Sequence, residues 1–187
     1  QLGQYMLEYL RENGGALVRG EVCAVDHDSN YCLTINDDGE TTKLSVDILV
    51  NAAGPFIGNI GELLDVRLPI TNVLQQKISF PDTESAISRQ MPFAVDLDGR
   101  TLDWSDEERE LLLSEDSTAW LAHHIIGPIH CRPEGGEDSN WLKLGWAINQ
   151  TPEEPRWEPD VDPHFPEIVL RGAAGLNPNL KKYYRQF

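Results

Sequence analysis

The sequence predicts an α/β fold whose second part is an α+β region built on an antiparallel sheet. Three patterns among the 187 residues carry this prediction. Apolar residues recur at helical spacing near the start, the apolar run 48–50 leads into the small residues 52–54, and residues 141–148 alternate with a period of two. The unbroken run is typical of a strand buried on both faces, whereas the alternation is typical of an antiparallel strand with one face on a core.

The first fifty residues predict a helix followed by a small antiparallel meander. The helix carries an apolar stripe and stops at Gly14-Gly15, because glycine readily adopts the left-handed conformation that ends a helix. Stretches rich in Asp, Asn and Gly predict the turns of the meander. The stripe consists of Leu2, Tyr5, Met6, Tyr9 and Leu10. The predicted strands cover residues 16–18, 21–25, 31–35 and 41–46.

The stretch Asp47–Pro55 predicts a buried strand that ends where something approaches the backbone closely. Small residues at its carboxyl end leave room for such an approach, and ligands of open α/β sheets bind at that end of the strands. A core strand that ends in an ordinary turn fits the same pattern, so the residues alone leave both interpretations open. Residues 57–64 then predict a short helix.

The second region begins near residue 68 and starts with a strand predicted over 73–80. Ser105 and Glu108 have the spacing of a capping box, which predicts a helix start. Further along, the segments 128–133 and 141–148 flank a Gly-rich turn and predict a hairpin.

The last third of the chain predicts a loop and two helices. Five prolines between Thr151 and Pro166 predict a loop that crosses the surface. Residues 165–172 suit a closely packed helix, and Asn177-Pro178 predicts the start of a last one.

Charge and composition exclude several classes of partner. Fifteen Lys and Arg against thirty-one Asp and Glu give a net charge of −16, which repels nucleic-acid phosphates and anionic lipid. No apolar run approaches the roughly 20 residues of a membrane span. The scattered Cys23, Cys32 and Cys131 make no disulfide framework, so we expect a reduced, intracellular and cytoplasmic protein.

Two familiar kinds of catalytic site are not indicated. His123 and His124 would point to opposite faces of a strand, so we expect no metal site. The acidic stretches 106–108 and 153–154 are explained by a helix dipole and by a solvated loop. No Gly-x-Ser-x-Gly elbow supports a hydrolase.

The order of elements resembles the flavin-binding fold of the D-amino-acid oxidase, glycine oxidase and sarcosine oxidase family. The resemblance covers nearly the whole chain, and the order of the motifs is more specific than any one of them. They are the strand at Glu21-Val22, Asp47 to Phe56, Leu68-Pro69-Ile70 to Gln76, His130-Cys131-Arg132-Pro133-Glu134-Gly135-Gly136, and Leu144-Gly145-Trp146.

The resemblance implies a partial Rossmann-like FAD-binding domain and an antiparallel-sheet substrate domain. Residues 1–67 match the first, residues 68–175 match the second, and residues 176–187 begin the return to the first. It also implies cofactor-binding residues. The backbone of Val22 would contact the adenine end of FAD, and Ala52, Ala53 and Gly54 would pass close to the dinucleotide.

On the substrate side, the resemblance implies that the antiparallel sheet roofs the flavin ring. Gln76 matches a substrate-side position, and His130 with Arg132 would bind a substrate carboxylate, Arg132 in bidentate fashion. The alternative for His130 and Arg132 is a surface pair on the outer face of the sheet, and the residues alone favour it.

The chain also departs from the family pattern. The Gly-x-Gly-x-x-Gly turn is absent, and so is the segment that closes over the flavin after residue 187. Leu74-Gln75-Gln76 stands where Arg-Gly-Gln is common, and Phe56 stands where Trp is frequent. We therefore expect an internal piece of a longer protein that by itself holds FAD weakly or not at all and is inactive.

The resulting functional prediction is an FAD-dependent oxidoreductase that oxidises a C–N bond of an amine or amino acid by hydride transfer to flavin. Its expected partner is a small-molecule amine or amino acid, and the sequence leaves the catalytic residues and the oligomeric state open. Two alternatives remain: a non-catalytic binding module derived from a flavoprotein, and a flavin dehydrogenase that passes electrons to a carrier other than oxygen.

Overall fold

Helices and antiparallel sheets make up the chain, which is a mixed α/β protein in the computed structural model. The structure describes residues 2–186. Its contacts divide the chain into two units, residues 1–70 (unit 1) and residues 71–187 (unit 2). Assigning the units to an FAD-binding and a substrate domain stays a prediction.

Unit 1 contains a helix and a three-stranded meander. The predicted amphipathic helix is α1 (Leu2–Glu12), and Gly14 follows it with a φ of +82°. The antiparallel order is β1-β2-β3, and the central strand supplies the buried residues Leu33 and Ile35. The strands are β1 (Glu21–His27), β2 (Tyr31–Asp37) and β3 (Glu40–Val46).

The buried strand predicted for the stretch 47–55 is wrong. Residues 48–53 form no strand, and Ile48 and Val50 are 80% and 77% exposed. A strand requires a hydrogen-bonded neighbour, and none of the described residues pairs with this stretch. Its end is a turn instead, because Asn51 accepts a hydrogen bond from the backbone N–H of Ala53 and donates one to the carbonyl of Ile57.

The remainder of unit 1 is short. A 3₁₀ turn at Gly54–Phe56 runs into α2 (Ile57–Glu62), in agreement with the helix predicted here. The predicted strand over 16–18 is wrong, since these residues are irregular and mostly exposed. The described residues of unit 1 contain no parallel strand pair, so a Rossmann-like layer also stays a prediction.

Unit 2 is built around a four-stranded antiparallel sheet in the order β4-β9-β8-β5. A separate two-stranded ribbon pairs β6 with β7. The strands are β4 (Lys77–Pro81), β5 (Ala94–Asp96), β6 (Arg100–Thr101), β7 (His124–Ile125), β8 (Ile129–Glu134) and β9 (Trp141–Trp146). The predicted hairpin is confirmed as β8 and β9, whereas the strand predicted over 73–80 begins only at Lys77.

Among the described residues of unit 2, one helix covers a face of this sheet and another packs against a 3₁₀ turn. They are α3 (Asp106–Leu113) and α4 (Phe165–Leu176), with 3₁₀ turns at Ala119–Ala122 and Pro178–Tyr183. The predicted capping box is confirmed, because Ser105 Oγ accepts from the Glu108 N–H while the Glu108 carboxylate accepts from the Ser105 N–H. The last predicted helix is a 3₁₀ helix rather than an α-helix.

The core of unit 2 lies between α4 and the sheet. Ile129, Leu144 and Trp146 are essentially buried and face the buried side of α4. Gly172 lets the two layers meet, because a Cβ there would lie 2.5 Å from both Ile129 Cδ1 and Trp146 Cζ3. The predicted close packing of this helix is therefore confirmed. None of the helices formed by residues 2–186 combines the length and apolar character that crossing a membrane requires.

Candidate functional site

The four-stranded sheet has one apolar and one basic face. On β8 the side chains of Ile129 and Cys131 are fully buried on the inner face, where burial raises the pKa of the Cys131 thiol to about 12. The alternation of a strand places His130 and Arg132 on the opposite, outer face. The structure therefore brings together the two residues for which the sequence left a ligand site and a surface pair open.

The strand register gathers further basic side chains beside them. Gly145 of β9 pairs with His130 on one side and with Lys77 of β4 on the other. In the next row of the outer face, Lys143 pairs with Arg132. Strands lie roughly 4.8 Å apart and alternate residues of a strand roughly 6.6 Å apart, so these four side chains share one small area. We call it the basic face.

Gly145 forms the floor between Lys77 and His130. A Cβ there would lie 2.3 Å from His130 Cε1 and 3.0 Å from Lys77 Cγ. The imidazole ring therefore lies over the glycine backbone, which is why this outward-facing glycine is itself buried. Any larger residue would displace His130.

One carboxylate, Glu134, accompanies the cations on the outer sides of these strands. Its oxygens lie 2.8 Å from Arg132 Nη2 and 2.9 Å from Lys143 Nζ. The hydrogen bond from Lys143 and the charge of Arg132 hold the pKa of the Glu134 carboxyl below its usual range. Lys77 forms no ion pair with any described residue, so positive charge is in excess here.

Arg132 retains hydrogen-bonding capacity. Its contact with Glu134 Oε2 is an ion pair that does not meet hydrogen-bond geometry, since that oxygen has no hydrogen-bonding partner among the described residues. The ion pair engages one terminal nitrogen of the guanidinium, and a guanidinium has further N–H donors with which it can bind an external carboxylate.

The environment of His130 favours the neutral imidazole. Burial lowers the pKa of His130, and the charges of Lys77, Arg132 and Lys143 lower it further. A ring kept neutral at pH 7 offers one N–H donor and one acceptor. It can therefore donate a hydrogen bond to an anion without adding to the positive charge.

An aromatic ring and a cleft border the basic face. The centroid of the Phe93 ring lies 5.2 Å from the centroid of the His130 ring and 5.9 Å from Arg132 Cζ. Phe93 and Arg132 also line an open cleft of about 360 Å³ that runs towards the β8–β9 turn. Arg89 closes that end, donating to the carbonyls of Trp141, Glu134 and Gly136.

Gln76 takes a different place. Its Nε2 donates to the carbonyl of Asp162, and its Oε1 accepts from the Asp162 N–H, at 3.3 and 3.1 Å. Both polar ends of the side chain therefore fasten the Pro-rich loop to the start of β4. The structure does not bring Gln76 together with His130 and Arg132.

The predicted cofactor residues lie in unit 1. Val22 is half-buried in β1 beside a bulge in its pairing with β2. Ala52 and Gly54 are exposed, whereas Ala53 is half-buried. Gly54 has a φ of +58°, and a Cβ on it would meet no atom within 4 Å, so protein atoms do not plug this corner.

These residues satisfy only part of what FAD needs. The open corner at Gly54 allows a bulky group to approach the backbone, as the resemblance implies. A pyrophosphate, however, needs a Gly-rich turn that presents backbone N–H groups at the start of a helix, and no such turn exists in this sequence. The described residues therefore do not fit FAD as a complete holding site.

The sequence did not predict a site role for four residues of this region, Lys77, Lys143, Gly145 and Phe93. The period of two in 141–148 already placed Lys143 and Gly145 opposite the apolar residues, which was a usable signal. The placement of Lys77 depends on β4 pairing with β9, a contact between residues far apart in the sequence. Phe93 lies outside any strand and carried no pattern.

The other candidate groups gather nothing comparable. Among residues 2–186 no three His, Cys, Asp or Glu side chains are grouped to hold a metal ion. His123 and His124 are exposed, and His124 Nε2 lies 3.0 Å from the Asp98 carbonyl. Cys23, Cys32 and Cys131 are all free thiols.

Comparison with known proteins adds no relative. No family model, no curated protein and no solved structure matches the chain.

Proposed function

We propose that the chain is part of an FAD-dependent oxidoreductase that oxidises a C–N bond of an amine or amino acid, in an intracellular setting. The observation that carries this proposal is the basic face. His130 and Arg132 lie on one side of an antiparallel sheet, where Arg132 pairs with Glu134 through one terminal nitrogen and the lowered pKa of His130 favours a neutral ring. This chemistry suits the carboxylate of an amino acid.

The cofactor side of the proposal rests on the family resemblance, since unit 1 leaves an open corner at Gly54 but forms no complete FAD site among its described residues. When bound, FAD would supply the acceptor for a hydride from the carbon that bears the amine. The residues of this chain would orient the substrate: Arg132 would hold its carboxylate, and Phe93 would pack against its apolar part.

Anaerobic flavin bleaching tests the proposal. Amino acids added to the full-length protein without oxygen should reduce its flavin and bleach the visible absorbance of the oxidised cofactor. Arg132→Met should raise the amino acid concentration needed for bleaching, whereas Arg19→Met in unit 1 should leave it unchanged. Absence of bleaching with every amine tested would exclude this substrate class.

A non-catalytic binding module is the second candidate, because the Gly-x-Gly-x-x-Gly turn is absent from these residues. The sequence upstream of Gln1 in the gene discriminates between the two. A strand followed by that glycine turn supports the oxidoreductase, and its absence supports the module. If the oxidoreductase holds, peroxide production under air separates an oxidase from a dehydrogenase.

A further inference from the structure

The basic face contains more positive charge than a single carboxylate needs. Lys77, Arg132 and Lys143 are three of only fifteen Lys and Arg in a chain of net charge −16. Glu134 faces Arg132 and Lys143 but leaves Lys77 unpaired among the described residues. Like charges placed this close repel one another, and burial is not what holds them together, because Lys77 is exposed. A bound anion would relieve the repulsion.

The face has two cationic centres rather than one. The first is Arg132, beside Lys143 and Glu134. The second is Lys77 with His130, on either side of Gly145. The centres lie in adjacent rows of the outer face, which are roughly 6.6 Å apart along a strand. That separation suits two linked anionic groups better than one compact anion.

We propose that the basic face binds a dicarboxylate, with one carboxylate on Arg132 and the second between Lys77 and His130. The second carboxylate accepts a hydrogen bond from the His130 ring and pairs with the Lys77 ammonium. The His130 ring and the stem of Lys77 both lie over Gly145, which places the imidazole and the lysine side chain next to each other on the outer face. Resting on the function proposed above, this makes the substrate an amino acid whose side chain also carries an acid group.

Binding to the chain itself provides a test that needs no flavin. The probes are glutarate and pentanoate, which share a five-carbon skeleton but carry two carboxylates and one. At low ionic strength, calorimetry should show glutarate binding roughly fivefold more tightly than pentanoate, the gain of one additional partly exposed charge pair. The His130 ring resonances should shift with glutarate.

Two matched variants locate the second carboxylate. Lys77→Gln should bring glutarate down to the affinity of pentanoate, whereas Lys43→Gln, which removes an exposed lysine from β3, should leave the preference intact. Gly145→Ser should also abolish it by displacing the His130 ring, and circular dichroism would confirm that this variant is folded. Equal affinities for glutarate and pentanoate, or equal effects of the two lysine variants, would overturn the proposal. Inorganic phosphate binding as tightly as glutarate would also overturn it, because one compact anion would then suffice.

A second measurement separates this inference from the proposed function. Anaerobic bleaching of the full-length protein should proceed at lower concentrations of aspartate or glutamate than of alanine, tested as both enantiomers. Bleaching that is equally effective with alanine would overturn the dicarboxylate inference and leave the oxidoreductase standing. Preferential glutarate binding without bleaching by any amine would support the dicarboxylate site and exclude the oxidoreductase.

Discussion

The two units differ in what their helices do with an apolar stripe. In unit 2, α4 buries seven residues as it packs on the sheet and on the 3₁₀ helix Pro178–Tyr183, and Gly172 lets helix and sheet approach closely. In unit 1, α1 has a stripe of the same spacing but no buried residue, and Tyr5, Met6 and Tyr9 all lie exposed. An amphipathic pattern therefore predicts the helix and its apolar face, whereas the partner of that face has to come from other residues.

The same contrast separates the two apolar stretches predicted as strands. Residues 141–146 found neighbours on both sides and became the second strand of the four-stranded sheet. Residues 48–50 pair with no strand among the described residues, and they are irregular, with Ile48 and Val50 exposed. Apolar character favours a strand only where another strand can satisfy its backbone N–H and C=O groups.

Truncating one leucine in each unit should give the largest difference. Leu144 is fully buried in unit 2, so Leu144→Ala should lower the free energy of unfolding by about 2–5 kcal/mol. Leu2 is 72% exposed on α1, and Leu2→Ala should change it by less than about 0.5 kcal/mol. Urea unfolding followed by far-UV circular dichroism measures both. A loss at Leu2 as large as that at Leu144 would mean that α1 packs on something.

Adding one methyl group in each unit should produce smaller effects of opposite sign. Gly172→Ala forces a Cβ against Ile129 and Trp146 and should destabilise unit 2 by about 1–3 kcal/mol. Gly3 lies in α1 with no atom within 4 Å of its Cβ position, so Gly3→Ala should raise helicity and stabilise by up to about 1 kcal/mol.

Thermal unfolding measures both glycine variants, with tryptophan fluorescence as the reporter of unit 2, since all five Trp lie there. Destabilisation by Gly3→Ala would show that the exposed face of α1 is not as open as the structure has it. A neutral Gly172→Ala would show that α4 can move away from the sheet at no cost.

These contrasts explain how far the sequence could predict the fold. Patterns that depend on residues close together in the chain were predicted correctly, such as the capping box of Ser105 and Glu108 and the hairpin of β8 and β9. The wrongly predicted strand in the stretch 47–55 and the unpredicted position of Lys77 both depend on pairing between distant segments. The local sequence has no signal for such pairing.

The candidate site divides in the same way. His130 and Arg132 were predicted to share a face because they are two residues apart in one strand. Gln76 was assigned by resemblance alone, and the structure commits its amide to Asp162. The composition of the basic face is a property of three strands together, so it could be seen only once their register was known.

The smallest predicted effect is a change in the pKa of His130 when one lysine is removed from each unit in turn. Because burial and the neighbouring cations lower the pKa of His130, the folded state binds fewer protons than the unfolded chain below about pH 6.5. The free energy of unfolding should therefore fall as the pH drops from 7 towards 5, and His130→Gln should flatten that slope.

Lys77→Gln should raise the pKa of His130 in the folded state, but only part of the way to its ordinary value, since burial is the larger cause of the lowering. Lys43→Gln on β3 of unit 1 provides the matched loss of charge and should leave the midpoint unchanged. NMR titration of the His130 ring protons measures all three proteins. A midpoint that moves equally in both lysine variants would mean that His130 senses the net charge of the whole chain, and the basic face would then have no local field with which to hold an anion.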